Sequence, residues 1–163
     1  TTIFTTAKKC FDKVNLRGKG SNIMSQMNSR MKVRNLVYEY CKENNIDESY
    51  PVFMMRLDFR NRIKHDVLND FNKSPNSLIL SAGYKFNDNC MLMSLPNFLR
   101  FFDKFDMCVE KYLNDDNIKA KEYGWWCPES FLSERRLELK LDLTYSDKIP
   151  NFMSSHGAST HVV

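Results

Sequence analysis

The sequence predicts an α+β domain: an antiparallel sheet of about four strands, a basic N-terminal helix and one long amphipathic helix. Three observations carry this expectation. Several short segments alternate apolar and polar residues with the two-residue period of a strand. Two longer segments repeat apolar residues at the three- and four-residue spacing of a helix. Glycine and proline number only five each in 163 residues, which leaves most of the chain free to enter regular elements.

Residues 1–20 read as an irregular basic arm, broken by Gly18 and Gly20. A single domain is expected over 21–150 and a flexible tail over 151–163. Ser21 or Ser25 can cap the first helix. Val33, Leu36, Val37 and Tyr40 then recur at i, i+3, i+4 and i+7, with Arg30 and Arg34 one turn apart on a flank. "NNIDESYP" ends it. In "PVFMMRLDFR", Phe53, Met55, Leu57 and Phe59 alternate with Met54, Arg56, Asp58 and Arg60, the pattern of a half-buried strand with one wet face. "RIKHDVLNDFNK" is ambiguous: Ile63, Val67, Leu68 and Phe71 suit a short helix ended before Pro75, and a strand continuing through Ile63 is the alternative.

"SLILSAGYKF" reads as a second strand with Leu78, Leu80, Ala82, Tyr84 and Phe86 in alternation, and "NDN" as a turn leading into a third strand, "CMLMSL". Pro96 then marks a helix start, where its missing N–H costs nothing. Phe98, Leu99, Phe102, Phe105, Val109, Tyr112 and Leu113 trace one stripe along 96–113. Both tryptophans fall in "EYGWWCPESF". Strict alternation in "RRLELKLDLTY", with Leu137, Leu139, Leu141 and Leu143 on one side, predicts the last strand.

The net charge of +4 is unevenly placed. Residues 1–34 hold eight cations against Asp12 alone, a balance of +7; the other 129 residues hold 16 cations and 19 acids, a balance of −3. Localised positive charge attracts polyanions, because each phosphate contact releases a condensed counterion. The phosphate-contact candidates are Lys8, Lys9, Lys13, Arg17, Lys19, Arg30, Lys32 and Arg34, extended by Arg56, Arg60, Arg62 and Lys64. Trp125 and Trp126 are candidate base-stacking platforms.

Catalytic templates are missing: the chain has no GxGxxG, HExxH or GxSxG, and "RGKGSN" lacks the glycine spacing of a P-loop. His65 reads as a surface residue. Neither enzymatic activity nor a cofactor or metal is expected. The five cysteines form no CxxC, which predicts reduced thiols in an intracellular compartment. No apolar run reaches the roughly 18 residues of a membrane span. The wide stripe on 96–113 predicts a homo-oligomer, a dimer, assembled through Phe98, Phe101, Phe102, Phe105, Met107 and Tyr112. A protein–protein scaffold built on that helix is the alternative to nucleic-acid binding.

Two resemblances bear on function. Strands leading into "MSLPNFLRFFDKFDMCVEKYL" resemble the positive-coactivator-four family over about residues 50–113. That family's curved antiparallel sheet binds single-stranded DNA, and its long helix forms a dimer. "KKCFDKVNLRGKGSNIMSQMNSRMKVR" and "YPVFMMRLDFRNRIKHDVLNDF" are similar to the baculovirus late nuclear phosphoprotein of the virogenic stroma. This second resemblance implies sequence-independent DNA binding that supports viral late transcription or replication in the host nucleus. It also implies that the chain is the folded N-terminal part of a longer protein.

Overall fold

A computed structural model describes residues 20–55, 63–82, 90–115 and 126–149. Among them are five helices and one four-stranded sheet, an α+β architecture. In chain order the elements are α1 (Gly20–Glu43), β1 (Pro51–Met55), α2 (Val67–Lys73), β2 (Ser77–Ser81), β3 (Cys90–Ser94), α3 (Leu95–Phe101), α4 (Phe105–Asn114), α5 (Pro128–Glu138) and β4 (Asp142–Ser146). The arm at 1–19 and the tail from 150 lie outside the described residues.

The sheet order is β1-β3-β2-β4. β3 pairs antiparallel with β1, Phe53 opposite Leu92, and with β2, Ile79 opposite Leu92. β4 runs parallel to β2, Ile79 opposite Thr144, so the sheet is mixed at one edge.

Both faces of the sheet are covered. Leu78, Leu80, Met91 and Met93 enter the main core with residues of α1, α3, α4 and α5. Ile79, Cys90 and Leu92 face the other way, against Val67 and Phe71 of α2 and against Ile149. A strand buried on both faces needs a continuous apolar run, and "LIL" and "CMLM" supply one. This corrects the reading of "SLILSAGYKF" as a strand whose apolar residues alternate. In β1, Val52 and Met54 pack on the main core and Phe53 on the second cluster, whereas Met55 is exposed.

The expected helix over 96–113 is two helices. Asp103 and Lys104 form a turn between α3 and α4, and Lys104 has a left-handed φ of 48°. The turn lets four rings converge. Phe102 lies 5.3 Å from Phe98, 5.0 Å from Phe101 and 5.9 Å from Phe105, each edge-on, the favoured aromatic arrangement. The single long helix that the positive-coactivator-four resemblance implies is therefore not reproduced.

The strand expected over 135–145 forms only in its last four residues; the first four belong to a helix and a turn lies between. Arg135 to Glu138 form the last turn of α5, and β4 begins only at Asp142. A Schellman motif separates them. Lys140 takes a left-handed φ of 54°, its N–H donates to Leu137 O at 3.0 Å, and Leu141 N–H donates to Arg136 O at 3.1 Å. Leu141 then turns into the core while Leu137 is exposed. Alternation in "LELKLDL" thus spans a helix end, a turn and a strand start.

Candidate nucleic-acid interface

α1 carries the described part of the basic segment. It has no acid in its first turn. Ile23, Met24 and Met27 anchor its first half in the main core. The predicted stripe is not the buried face: Val33, Leu36 and Tyr40 are exposed, and of that set only Val37 packs on the core.

The three cations of α1 that fall within residues 1–34 differ in availability. Lys32 is exposed and Arg30 is half-buried. Arg34 is half-buried and held against α3, with its Nη1 donating to Asn35 Oδ1 at 3.0 Å. Its Nε donates to Leu99 O at 3.2 Å, its Nη2 lies 3.6 Å from Asp103, and its guanidinium lies 5.4 Å from the centre of the Tyr38 ring. These bonds compete with the phosphate contact assigned to it. The break after α3 leaves carbonyl groups without helical partners, and a cation at a helix C-terminus is favourable there.

Lys64 is exposed just ahead of α2. Lys8, Lys9, Lys13, Arg17, Lys19, Arg56, Arg60, Arg62 and Trp125 lie outside the described residues. Trp126 is buried, with its ring stacked on Phe131 at 4.6 Å. A base cannot use that face, so Trp126 is withdrawn as a stacking platform. The self-association set is also corrected. Phe98, Phe101, Phe102, Phe105 and Tyr112 are buried in the chain's own core, and only Met107 is exposed.

Sequence reasoning missed a polar network between α3, α4 and α5. Arg135, only 8% exposed, donates from Nε to Phe101 O at 3.1 Å and from Nη2 to Arg100 O at 2.7 Å and Asp103 O at 3.2 Å. Its Nη1 donates to Glu138 Oε2 at 2.8 Å. Glu138 also accepts from the Tyr112 hydroxyl and from Lys111 Nζ at 2.7 Å. Partial burial pushes the Glu138 carboxyl up, but the hydrogen bonds from Lys111, Tyr112 and Arg135 outweigh it and hold the pKa at about 2. Burial, and then its bond to Glu138, raise the Tyr112 phenol. The i,i+3 spacing of Arg135 and Glu138 was a legible signal, hidden by the strand reading.

A second cluster ties β4 to α2. Asp70 accepts from Ser146 Oγ at 2.6 Å and from Lys148 Nζ at 2.7 Å. The bond from Lys148 and then that from Ser146 lower the Asp70 carboxyl, and Asp70 raises the Lys148 ammonium. Ser146 is buried and its hydroxyl donates a hydrogen bond to the Asp70 carboxylate, so this is a tether between elements.

Cys41, Cys90, Cys108 and Cys127 are free thiols. Burial pushes Cys90 up to about 12 and also raises Cys108 and Cys127, which keeps these three protonated at neutral pH. Among the described residues no group of three or more His, Cys, Asp or Glu can hold a metal ion, and no helix is long and apolar enough to cross a membrane. Comparison with known proteins returns no matching family model, curated protein or solved structure.

Proposed function

We propose that the protein binds nucleic acid through phosphate contacts, without sequence preference and without catalysis. The observation that carries this reading is the segregation of charge: +7 in residues 1–34 against −3 in the remaining 129. Lys8, Lys9, Lys13, Arg17 and Lys19 are the principal contacts. Point charges on lysine read the backbone and not the bases, which gives affinity without sequence discrimination. The setting we propose is the one the baculovirus resemblance implies, support of late viral transcription or replication in the host nucleus.

Fluorescence anisotropy with random-sequence duplex and single-stranded oligonucleotides tests this. Binding that weakens steeply with salt and varies little between sequences supports the proposal. Absence of binding at about 50 mM salt, where phosphate contacts are strong, contradicts it.

A further inference from the structure

In the C-terminal half of α1, Arg34 and half-buried Val37 hold one side to the body, and among the described residues the opposite apolar face is left uncovered. From Lys32 to Glu43 no side chain is fully buried. Helices of about 12 residues are marginal in water unless an apolar face is covered. The apolar residues here are turned outward: Val33 is 42% exposed, Leu36 70% and Tyr40 62%. At 3.6 residues per turn these three share one face.

Charges beside this face identify what covers it. Lys32, Glu39 and Glu43 are separated by seven and then four residues, so they lie on one flank of the stripe, and all three are exposed. Glu39 and Glu43 are a like-charge i,i+4 pair, which Lys42, three residues from Glu39, offsets only in part. A two-fold axis passing near Leu36 and normal to the helix brings a second α1 alongside, antiparallel. That operation places each flank beside its own equivalent with the direction reversed. Lys32 of each copy then faces the Glu39–Glu43 end of the other, and Leu36 meets its own equivalent. The same patch serves both subunits, as a two-fold interface requires.

We infer that the face Val33–Leu36–Tyr40 of α1 is an antiparallel self-association surface, with Lys32 paired to Glu39 and Glu43 of a second copy. It relocates the dimer contact from the 96–113 segment to α1 and is independent of the nucleic-acid proposal. Three apolar side chains per copy make a contact smaller than the standard stable interface, so the dimer is weak, with a Kd of roughly tens of micromolar.

Sedimentation equilibrium of the full chain, from about 5 to 500 μM, tests it. The wild type shifts from monomer to dimer over that range. Leu36→Glu weakens association at least about tenfold while leaving the circular dichroism spectrum unchanged, because Leu36 is mostly solvent-exposed. Lys32→Glu alone, and Glu39→Lys with Glu43→Lys, each place like charges across the axis and lose the dimer. An equimolar mixture of those two variants restores dimers, because each carries the charges the other lacks. A monomer at every concentration means that the arm or a partner of other chemistry covers the face, and overturns the inference. So does a dimer indifferent to Leu36→Glu, or a mixture that fails to associate.

Discussion

Arg135 Nη1 donates to Glu138 Oε2 at 2.8 Å, while the other nitrogens of the same guanidinium hold three carbonyls at the end of α3. One buried arginine thus closes the gap left where α3 stops and fixes α5 against it. Arg34 reaches the same end of α3 from α1. Three helices are set around the break by two arginines.

Removing Arg135 therefore leaves several acceptors buried together. Arg135→Ala is expected to cost about 3–5 kcal/mol, the range for breaking one partner of a buried ionic network. Arg135→Lys recovers little of this, because an ammonium cannot span the four acceptors as a planar fork does. Urea unfolding of the two variants measures both effects.

Glu138 predicts an acid dependence. Its folded pKa of about 2 lies below the ordinary 4.5, so its ionised form stabilises the fold. That contribution is present above about pH 4.5 and is lost as pH falls towards 2. Glu138→Gln is expected to cost about 1–2 kcal/mol at pH 7, trimmed by partial exposure, and to flatten the stability profile between pH 5 and 2. Thermal unfolding of both proteins across that interval shows whether the slopes differ.

The phenylalanine cluster predicts a loss of stability with no change in association. Phe102→Ala removes a fully buried ring that touches three others and is expected to cost about 3–5 kcal/mol. Sedimentation of this variant at a temperature where it stays folded should match the wild type. Were the 96–113 segment the dimer contact, the dimer would instead dissociate.

Two left-handed residues offer gains. Asn45 (φ 51°) follows α1, and Lys140 (φ 54°) follows α5. Glycine adopts this region without the Cβ clash, so Lys140→Gly should stabilise by about 1 kcal/mol, and Asn45→Gly by less, since asparagine tolerates the conformation better. Chemical denaturation midpoints give the comparison.

The α+β class was legible in the sequence because several of its signals are local. Pro96 marked the start of α3, and Val67 and Phe71 marked the short α2. Alternation misled at "LELKLDL" because a Schellman turn at Lys140 resets the phase between helix and strand. The 96–113 stripe read as one helix because Lys104, an ordinary residue, takes a turn conformation that its identity does not signal. In α1 the eye follows Val33, Leu36 and Tyr40, yet burial falls on Ile23, Met24 and Met27.

Side-chain roles were less legible than elements. Arg34 and Arg135 bind carbonyls 65 and 34 residues away, and a backbone acceptor leaves no mark in the residue pattern. A charge count reads Arg34 as available, whereas the fold holds it against α3. The basic balance of residues 1–34 does not depend on Arg34 alone, since five of its eight cations precede α1.

The salt dependence of nucleic-acid binding tests the central claim most directly. Anisotropy titrations compare the wild-type chain with a variant carrying Lys8→Ala, Lys9→Ala, Lys13→Ala, Arg17→Ala and Lys19→Ala. With four or five phosphates neutralised, the wild type should show a slope of log Kobs against log[salt] of about −4 on duplex DNA, at about −0.9 per contact. The five-fold variant should unfold at the same urea concentration and show a slope closer to zero than about −1, with binding lost at near-physiological salt. A wild type that does not bind, or a variant with an unchanged slope, contradicts the account.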